Sequence, residues 1–321
     1  MVAVQCLRQR QQSGWRVGLN HLIGRGEARR KMSTRVGVPE MEGSPKDYRP
    51  EAWSDAAVEA RFREVSVGRV RSSGARDSFF RVPPVGDVEA FQRCVDEAVD
   101  SLSTGQVVAL PTDTLYGVAA SVYHRVGVEG LYAIKMRERG KPLAVCVADV
   151  GDVARYAEVV DLPPQLLQAL LPGPVTLVLR KRRAPQFHAS GREEYLPLCE
   201  PWFNPGEDTV AVRIPRASFI RRVCHDLGGA LALTSANLAG GPSTVDTAEF
   251  KALWPLCDAI FDAGILGTDV DPSMQRLGST IVDLTPTKDP SNVIYRILRD
   301  GSALEQTVLT LTEHGATRVD V

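Results

Sequence analysis

Between Asp87 and Leu298, short apolar runs of strand length alternate with segments whose apolar residues recur at helical spacing. No other feature limits the fold as much. Strands interleaved with helices assemble into a sheet covered on both faces. Asp87 can cap a helix carrying Val88, Phe91, Val95, Ala98, Val99 and Leu102, with Gly105 to end it. A buried strand is expected at 107–110, ended by Pro111, then a helix at 130–138 and a strand at 143–148. A helix at 163–171 stops at Pro172-Gly173-Pro174, and strands at 175–180 and 209–214 flank a stretch rich in proline. That stretch, 181–208, holds four prolines and two glycines and reads as a long loop. A helix at 217–227 and strands at 230–233, 259–262, 280–284 and 293–298 complete the pattern. The fold class expected is α/β, with helices on both faces of a mixed sheet.

Charge divides the chain. Residues 1–35 carry eight Lys or Arg against Glu27 alone, a net +7, whereas 36–321 carry a net −8. An acidic body opposes binding driven by nucleic-acid phosphates. The basic N-terminus, dotted with Gln, Ser and Gly, has the composition of a mitochondrial transit peptide, and Met32 offers a second start behind Arg29-Arg30-Lys31. Both cytoplasmic and mitochondrial forms are therefore expected. Residues 36–86, with five prolines, read as a linker or arm in which 51–63 is a short helix; 87–304 is the main domain and 305–321 a tail. No run of 18 apolar residues is present, so no membrane-spanning helix is expected. The six cysteines are more than twenty residues apart, which gives no CxxC and suits a reducing compartment.

Six polar clusters sit where loops leave these strands, the place ligands favour in open α/β sheets. Pro111-Thr112-Asp113-Thr114-Leu115-Tyr116-Gly117 offers hydroxyls and a carboxylate to a small polar ligand, or makes an ordinary turn. Lys135, Arg137, Arg139 and Lys141 crowd a helix end, able to clamp a polyphosphate or simply to face solvent. Pro142 after Gly140-Lys141 excludes a Walker loop. The others are Pro172–Thr176 followed by Arg180, then Thr234-Ser235-Ala236-Asn237, Gly278-Ser279-Thr280, and Arg299 in Leu298-Arg299-Asp300-Gly301. The five histidines form no HExxH or other metal spacing, and GxSxG is absent. Cys224 and His225 are helix neighbours and cannot face each other; Cys146 and Cys224 read as core. Chemistry by positioning and charge, without a covalent nucleophile, is the pattern left.

In this order the clusters PTDTLYG, KxR with KPL, LLPGPVTLVLR, VRIP, LTSAN with GGPST, GSTIVD and LRDGSAL resemble the YrdC/Sua5 family of L-threonylcarbamoyladenylate synthases. The likeness covers about two thirds of the chain, from Asp87 to Leu304, in the short YrdC-type form. Departures are Met136 and Lys141, where the family commonly has Gly and Asn, and Ala239 in place of a hydroxyl. The resemblance implies a twisted mixed sheet flanked by helices, with a concave basic cleft. It implies a nucleotidyltransferase that converts L-threonine, bicarbonate or CO2, and ATP with Mg2+ to threonylcarbamoyl-AMP and pyrophosphate. That product feeds t6A modification of tRNA through a threonylcarbamoyl transferase, a KEOPS-type complex or its mitochondrial counterpart, with weak tRNA contact. Carried onto this sequence, Thr114, Arg180 and Ser279 would hold threonine, with Arg180 facing its carboxylate. Arg137, Lys141, Thr176, Ser235, Asn237 and Arg299 would hold ATP, and Lys135 with Arg137 would act catalytically; Thr244 (on ATP) and Arg213 follow as further candidates. The site itself needs no resident metal ligand. Two rival readings are a double-stranded RNA or tRNA-binding module of the same fold and a carbamoyl-transfer domain of the HypF kind. The −8 body opposes the first; no zinc-finger cysteines accompany the second.

Overall fold

The structure is a computed structural model, and it describes residues 78–135, 142–187, 193–197, 202–238 and 240–319. The basic N-terminus, the expected helix at 51–63, and Arg137, Lys141 and Ala239 lie outside the described residues.

Thirteen strands and six α-helices are described. They are β1 (Phe79–Arg81), α1 (Val88–Ser103), β2 (Val108–Pro111), β3 (Tyr116–Ser121), α2 (Arg125–Ile134), β4 (Ala144–Cys146), α3 (Val150–Val153) and α4 (Pro164–Leu170). Then follow β5 (Val175–Arg180), β6 (Arg183–Phe187), β7 (Glu193–Pro197), β8 (Thr209–Arg213), α5 (Ser218–Leu227) and β9 (Leu231–Ser235). A 3-10 helix (Thr247–Leu256) leads to β10 (Ala259–Asp262), β11 (Thr280–Asp283), β12 (Ile294–Arg299), α6 (Leu304–Glu313) and β13 (Thr317–Arg318). Eleven strands form one mixed sheet in the order β1-β10-β2-β3-β9-β4-β8-β5-β11-β12-β13.

The pleat explains the two cores. Val108 and Leu110 point to one face, where α1 contributes Phe91, Val95, Ala98 and Leu102 and α5 contributes Phe219, Ile220 and Val223. Phe91 meets Phe219 edge-on at 5.9 Å, a contact that adds about 1 kcal/mol to the area it buries. Ala109 and Val118 point to the other face, against Val128 and Leu131 of α2, Leu166 and Leu170 of α4, and Leu311 of α6. The Asp87 carboxylate accepts from Ala90 N at 3.1 Å, so α1 starts where its cap places it.

Four differences from the sequence expectation have physical causes. β3 carries Gly117, Ala119 and Ala120, small residues with little strand propensity; pairing on both sides holds it in place. α2 begins five residues before the expected start at 130, since Gly127, which weakens a helix, is needed where a Cβ would come within 2.8 Å of Gly105 O. The 181–208 stretch is not one long loop, because β6 and β7 pair antiparallel within it. The domain limits at 87 and 304 fall short at both ends. β1 adds a parallel edge strand to β10, with Phe80 stacked on Phe261 at 5.3 Å, and α6 buries Leu311 fully.

Candidate functional site

The polar clusters meet around the turn between β2 and β3. β2, β9 and β10 end there and β3 begins there, as the registers Pro111↔Tyr116 and Gly117↔Ser235 require. β4 runs antiparallel to β9, so it is the side-chain hydrogen bonds of Arg213 to Thr112, Asp113 and Thr114 that bring the end of β8, with the starts of β5 and β11 and the end of β12 beside it, to the same turn.

Thr114 sits in a turn closed by Thr112. The Thr112 hydroxyl donates to Leu115 O at 2.7 Å and accepts from the Thr114 and Leu115 amides, both at 3.2 Å. That ST-type turn fixes Thr114, whose Oγ1 accepts from Arg213 Nη2 at 2.5 Å. The same nitrogen reaches Thr112 Oγ1 at 3.2 Å and Asp113 Oδ1 at 2.7 Å. The Thr114 proton can reach Thr112 Oγ1 only at 3.3 Å, so it is readily given to a ligand. Arg213 is 9% exposed, and its Nε is buried without a hydrogen-bond partner.

Thr176, at the start of β5, pairs in register with Arg213 and hydrogen-bonds Ser279 Oγ at 2.6 Å. Arg299, from the end of β12, donates to Ser279 O from Nη2 at 2.7 Å and to Ser279 Oγ at 3.1 Å. Burial, and secondly the positive charge of Arg213, pull the Arg299 pKa down. Two guanidiniums thus stand near each other beside one carboxylate, an arrangement that favours an incoming anion. A tight backbone approach sets this corner: a Cβ on Gly301 would overlap the Thr280 nitrogen and the Ser279 carbonyl.

A second cluster lies beside the same turn, at the end of β9, where Ala236 N donates to Tyr116 O. Lys135 follows the last turn of α2, is 3% exposed, and sends Nζ to Asn237 O at 2.6 Å, Asn237 Oδ1 at 2.7 Å and Ser235 Oγ at 3.2 Å. Asn237 is itself anchored, donating from Nδ2 to Gly241 O at 2.7 Å. An ammonium aimed at three oxygens is preset for phosphate oxygens in the same positions. Thr244 donates its hydroxyl to Ala236 O at 3.0 Å and its carbonyl accepts from Tyr116 N, so it braces this loop against β3. Behind it, buried Tyr116 donates to Gly264 O at 2.8 Å, and burial raises its hydroxyl pKa.

Of the site residues expected from sequence, the structure therefore brings together Thr114, Thr176, Ser279 and Arg299, and beside them Lys135, Ser235 and Asn237, with Thr244 as a brace. Arg180 does not join them. It lies at the other end of β5, about 13 Å along the strand from Thr176 at 3.3 Å per residue. There its guanidinium donates to the carbonyls of Thr285 and Thr287 and pairs with Asp161 at 3.4 Å. The expectation that Arg180 faces a threonine carboxylate is corrected: Arg213 stands beside Thr114 instead. The sequence offered the Asp113 carboxylate to a ligand, not to Arg213, and gave Arg216 no role. A signal for the pairing was available, since Arg213 lies one residue from the end of an expected strand and Asp113 lies between two threonines.

Fold and site define an α/β protein whose basic and hydroxyl-bearing side chains converge around the turn after β2, an arrangement suited to an anionic, hydroxyl-bearing ligand. The Sua5_yciO_yrdC family model, described as telomere recombination, matches residues 100–301. Threonylcarbamoyl-AMP synthase of Bos taurus is 43% identical over 68% of this chain and 71% of its own length. The Homo sapiens protein of that name is 39% identical over 75% of this chain and 80% of its own. Among solved structures, E. coli YciO superposes with a TM-score of 0.54 at 22% identity, over 70% of this chain and 96% of its own. P. abyssi Sua5 complexed with L-threonine gives 0.55 at 24% identity, over 72% of this chain and 60% of that one. This chain thus spans about 60% of that Sua5 chain. The chain belongs to the Sua5/YciO/YrdC family.

Proposed function

We propose that the protein is a threonylcarbamoyl-AMP synthase, which makes threonylcarbamoyl-AMP and pyrophosphate from L-threonine, bicarbonate or CO2, and ATP. The observation that carries this reading is the meeting of Thr114, Thr176, Ser279 and Arg299 around Arg213. The names of relatives at about 40% identity support it.

The chemistry asks for placement more than for a general base. The threonine nitrogen adds to CO2 to form a carbamate, and a carbamate oxygen then attacks the α-phosphorus of ATP as pyrophosphate leaves. A carbamate is short-lived in water, so holding both partners together accelerates the step. Thr114 and Ser279 take the hydroxyl and polar end of threonine, and Arg213 faces its carboxylate. Lys135, Ser235, Asn237, Thr176 and Arg299 take the triphosphate, where charge grows as pyrophosphate departs. Arg137 and Lys141, outside the described residues, join them on the strength of the resemblance.

Among the described residues, no group of three or more His, Cys, Asp or Glu side chains is placed to hold a metal ion. Asp113 is already engaged by Arg213 and Arg216. Mg2+ would therefore enter on the ATP phosphates and neutralise part of their charge. The product would pass to a tRNA threonylcarbamoyl transferase in each compartment. Protein started at Met1 would enter mitochondria, drawn by its cationic segment, and protein started at Met32 would remain in the cytoplasm. Residues 1–60 fused to a fluorescent reporter, with and without Met32→Ala, test that address; diffuse fluorescence in both cases would refute it.

The activity is tested by incubating purified protein with ATP, Mg2+, bicarbonate and labelled L-threonine. Threonine-dependent release of pyrophosphate together with the adenylate is expected. Folded protein that yields neither would overturn the reading.

A further inference from the structure

Among the described residues, Asp113 is the one carboxylate hydrogen-bonded into the groups around Thr114, and its two oxygens have different partners. Oδ1 accepts from Arg213 Nη2 at 2.7 Å, and Oδ2 accepts from the Arg216 backbone amide at 2.8 Å. The Arg216 guanidinium in turn donates to Pro172 O at 3.3 Å, in the turn that leads to Thr176. One side chain, 8% exposed, thereby ties the turn after β2, the loop after β8 and the approach to β5.

The electrostatics give this tie a purpose. Arg213 and Arg299 repel each other, and Arg213 is buried with its Nε unpartnered. Without a fixed anion, the guanidinium of Arg213 would relax away from Arg299 toward water, since a buried charge lacking a partner is costly. Three acceptors converge on its Nη2, and only Asp113 among them carries charge.

We propose that Asp113 is a positioning residue for threonine recognition: by bridging Arg213 and the Arg216 amide, it holds the Arg213 guanidinium where the amino-acid carboxylate arrives. Asp113 itself need not touch the substrate. Its loss should fall on threonine, because Arg213 is the group it orients, and should spare ATP, which Lys135, Ser235 and Asn237 hold through separate contacts. This inference rests on the synthase reading above.

The test is steady-state kinetics of Asp113→Asn, Arg213→Lys and the double variant. Asp113→Asn should raise the threonine KM about tenfold or more, with the ATP KM within about threefold of the wild type. If Asp113 acts through Arg213, the double variant should be no worse than Arg213→Lys alone. A purely structural role would lower the active fraction and leave the threonine KM where it was. Should Asp113→Asn not fold, Asp113→Glu replaces it: the charge is kept, the arm is one methylene longer, and the same selective rise is expected. An unchanged threonine KM, an equal rise for ATP, or additive losses in the double variant would overturn the proposal. A wild type that makes no threonine-dependent pyrophosphate would instead fail the synthase reading.

Discussion

Arg213 and Arg180 each project from the end of a strand beside threonine residues, yet they stand at opposite ends of the paired strands β5 and β8. Arg180 is used up internally, on the Thr285 and Thr287 carbonyls and the Asp161 carboxylate. Arg213 keeps one nitrogen on three side-chain oxygens and leaves Nε unpaired, with Arg299 close enough for the two charges to oppose. The first arrangement fastens loops. The second stores unspent binding capacity, and only the second suits a ligand. What separates them is strand direction: β5 begins at the site and carries Arg180 away from it, while β8 ends there.

The largest effect should come from the site itself. Arg299→Ala should cut threonine-dependent pyrophosphate release about 100-fold or more, because a donor facing developing phosphate charge is lost. Its circular dichroism should stay near the wild type, with a stability loss of about 1 kcal/mol for the Ser279 carbonyl that loses its donor. A variant that keeps its rate would remove Arg299 from the chemistry and weaken the contrast.

Gly301→Ala should come next. The added methyl overlaps the Thr280 nitrogen and Ser279 carbonyl, so β11 must shift, at a cost of about 3 kcal/mol of stability and most of the activity. Urea unfolding beside the rate assay would check both; an alanine that fits without either loss would mean this corner is looser than described.

At the other end of β5, Arg180→Ala should behave in reverse. Two carbonyls and Asp161 lose their donor, which destabilises by about 1–2 kcal/mol given the partial exposure of the side chain. The rate should be unchanged below the melting transition. Loss of rate with stability intact would restore Arg180 to the site.

These cases also mark how much could be read beforehand. The strand–helix alternation, the Asp87 cap and the clusters at strand ends were legible, since periodicity and capping are local. Strand direction is not local, so nothing in the order LVLR opposed the place that the family resemblance implied for Arg180, and Arg213 came second. Nor could β3 be seen, because Gly117 and Ala119 follow their neighbours on both sides and not their own propensity. Leu311 showed no sign of the burial that α6 acquires once it packs beside α4.

The smallest effect lies away from both ends, where α5 meets α1. Burial works against ionisation of Asp226, but hydrogen bonds from Gln92, His225 and Arg222 outweigh it and hold its pKa at about 2. A folded pKa below the unfolded value near 4 means that this contribution is complete above about pH 4 and fades as pH falls toward 2. Asp226→Asn should therefore cost about 1 kcal/mol at pH 7 and nothing near pH 2. Thermal melts at the two pH values measure the difference, and an equal shift at both would contradict it. Activity should not change.

The Arg213 end of the β5–β8 pair receives threonine, and the Arg180 end does not. Calorimetric titration of L-threonine into the wild type, Arg180→Ala and Arg213→Lys tests it without any turnover. The account predicts that Arg180→Ala binds threonine as the wild type does, whereas Arg213→Lys binds it about tenfold more weakly, since an ammonium cannot reproduce the planar fork. Folded Arg180→Ala that no longer binds threonine, beside Arg213→Lys that still does, would contradict it.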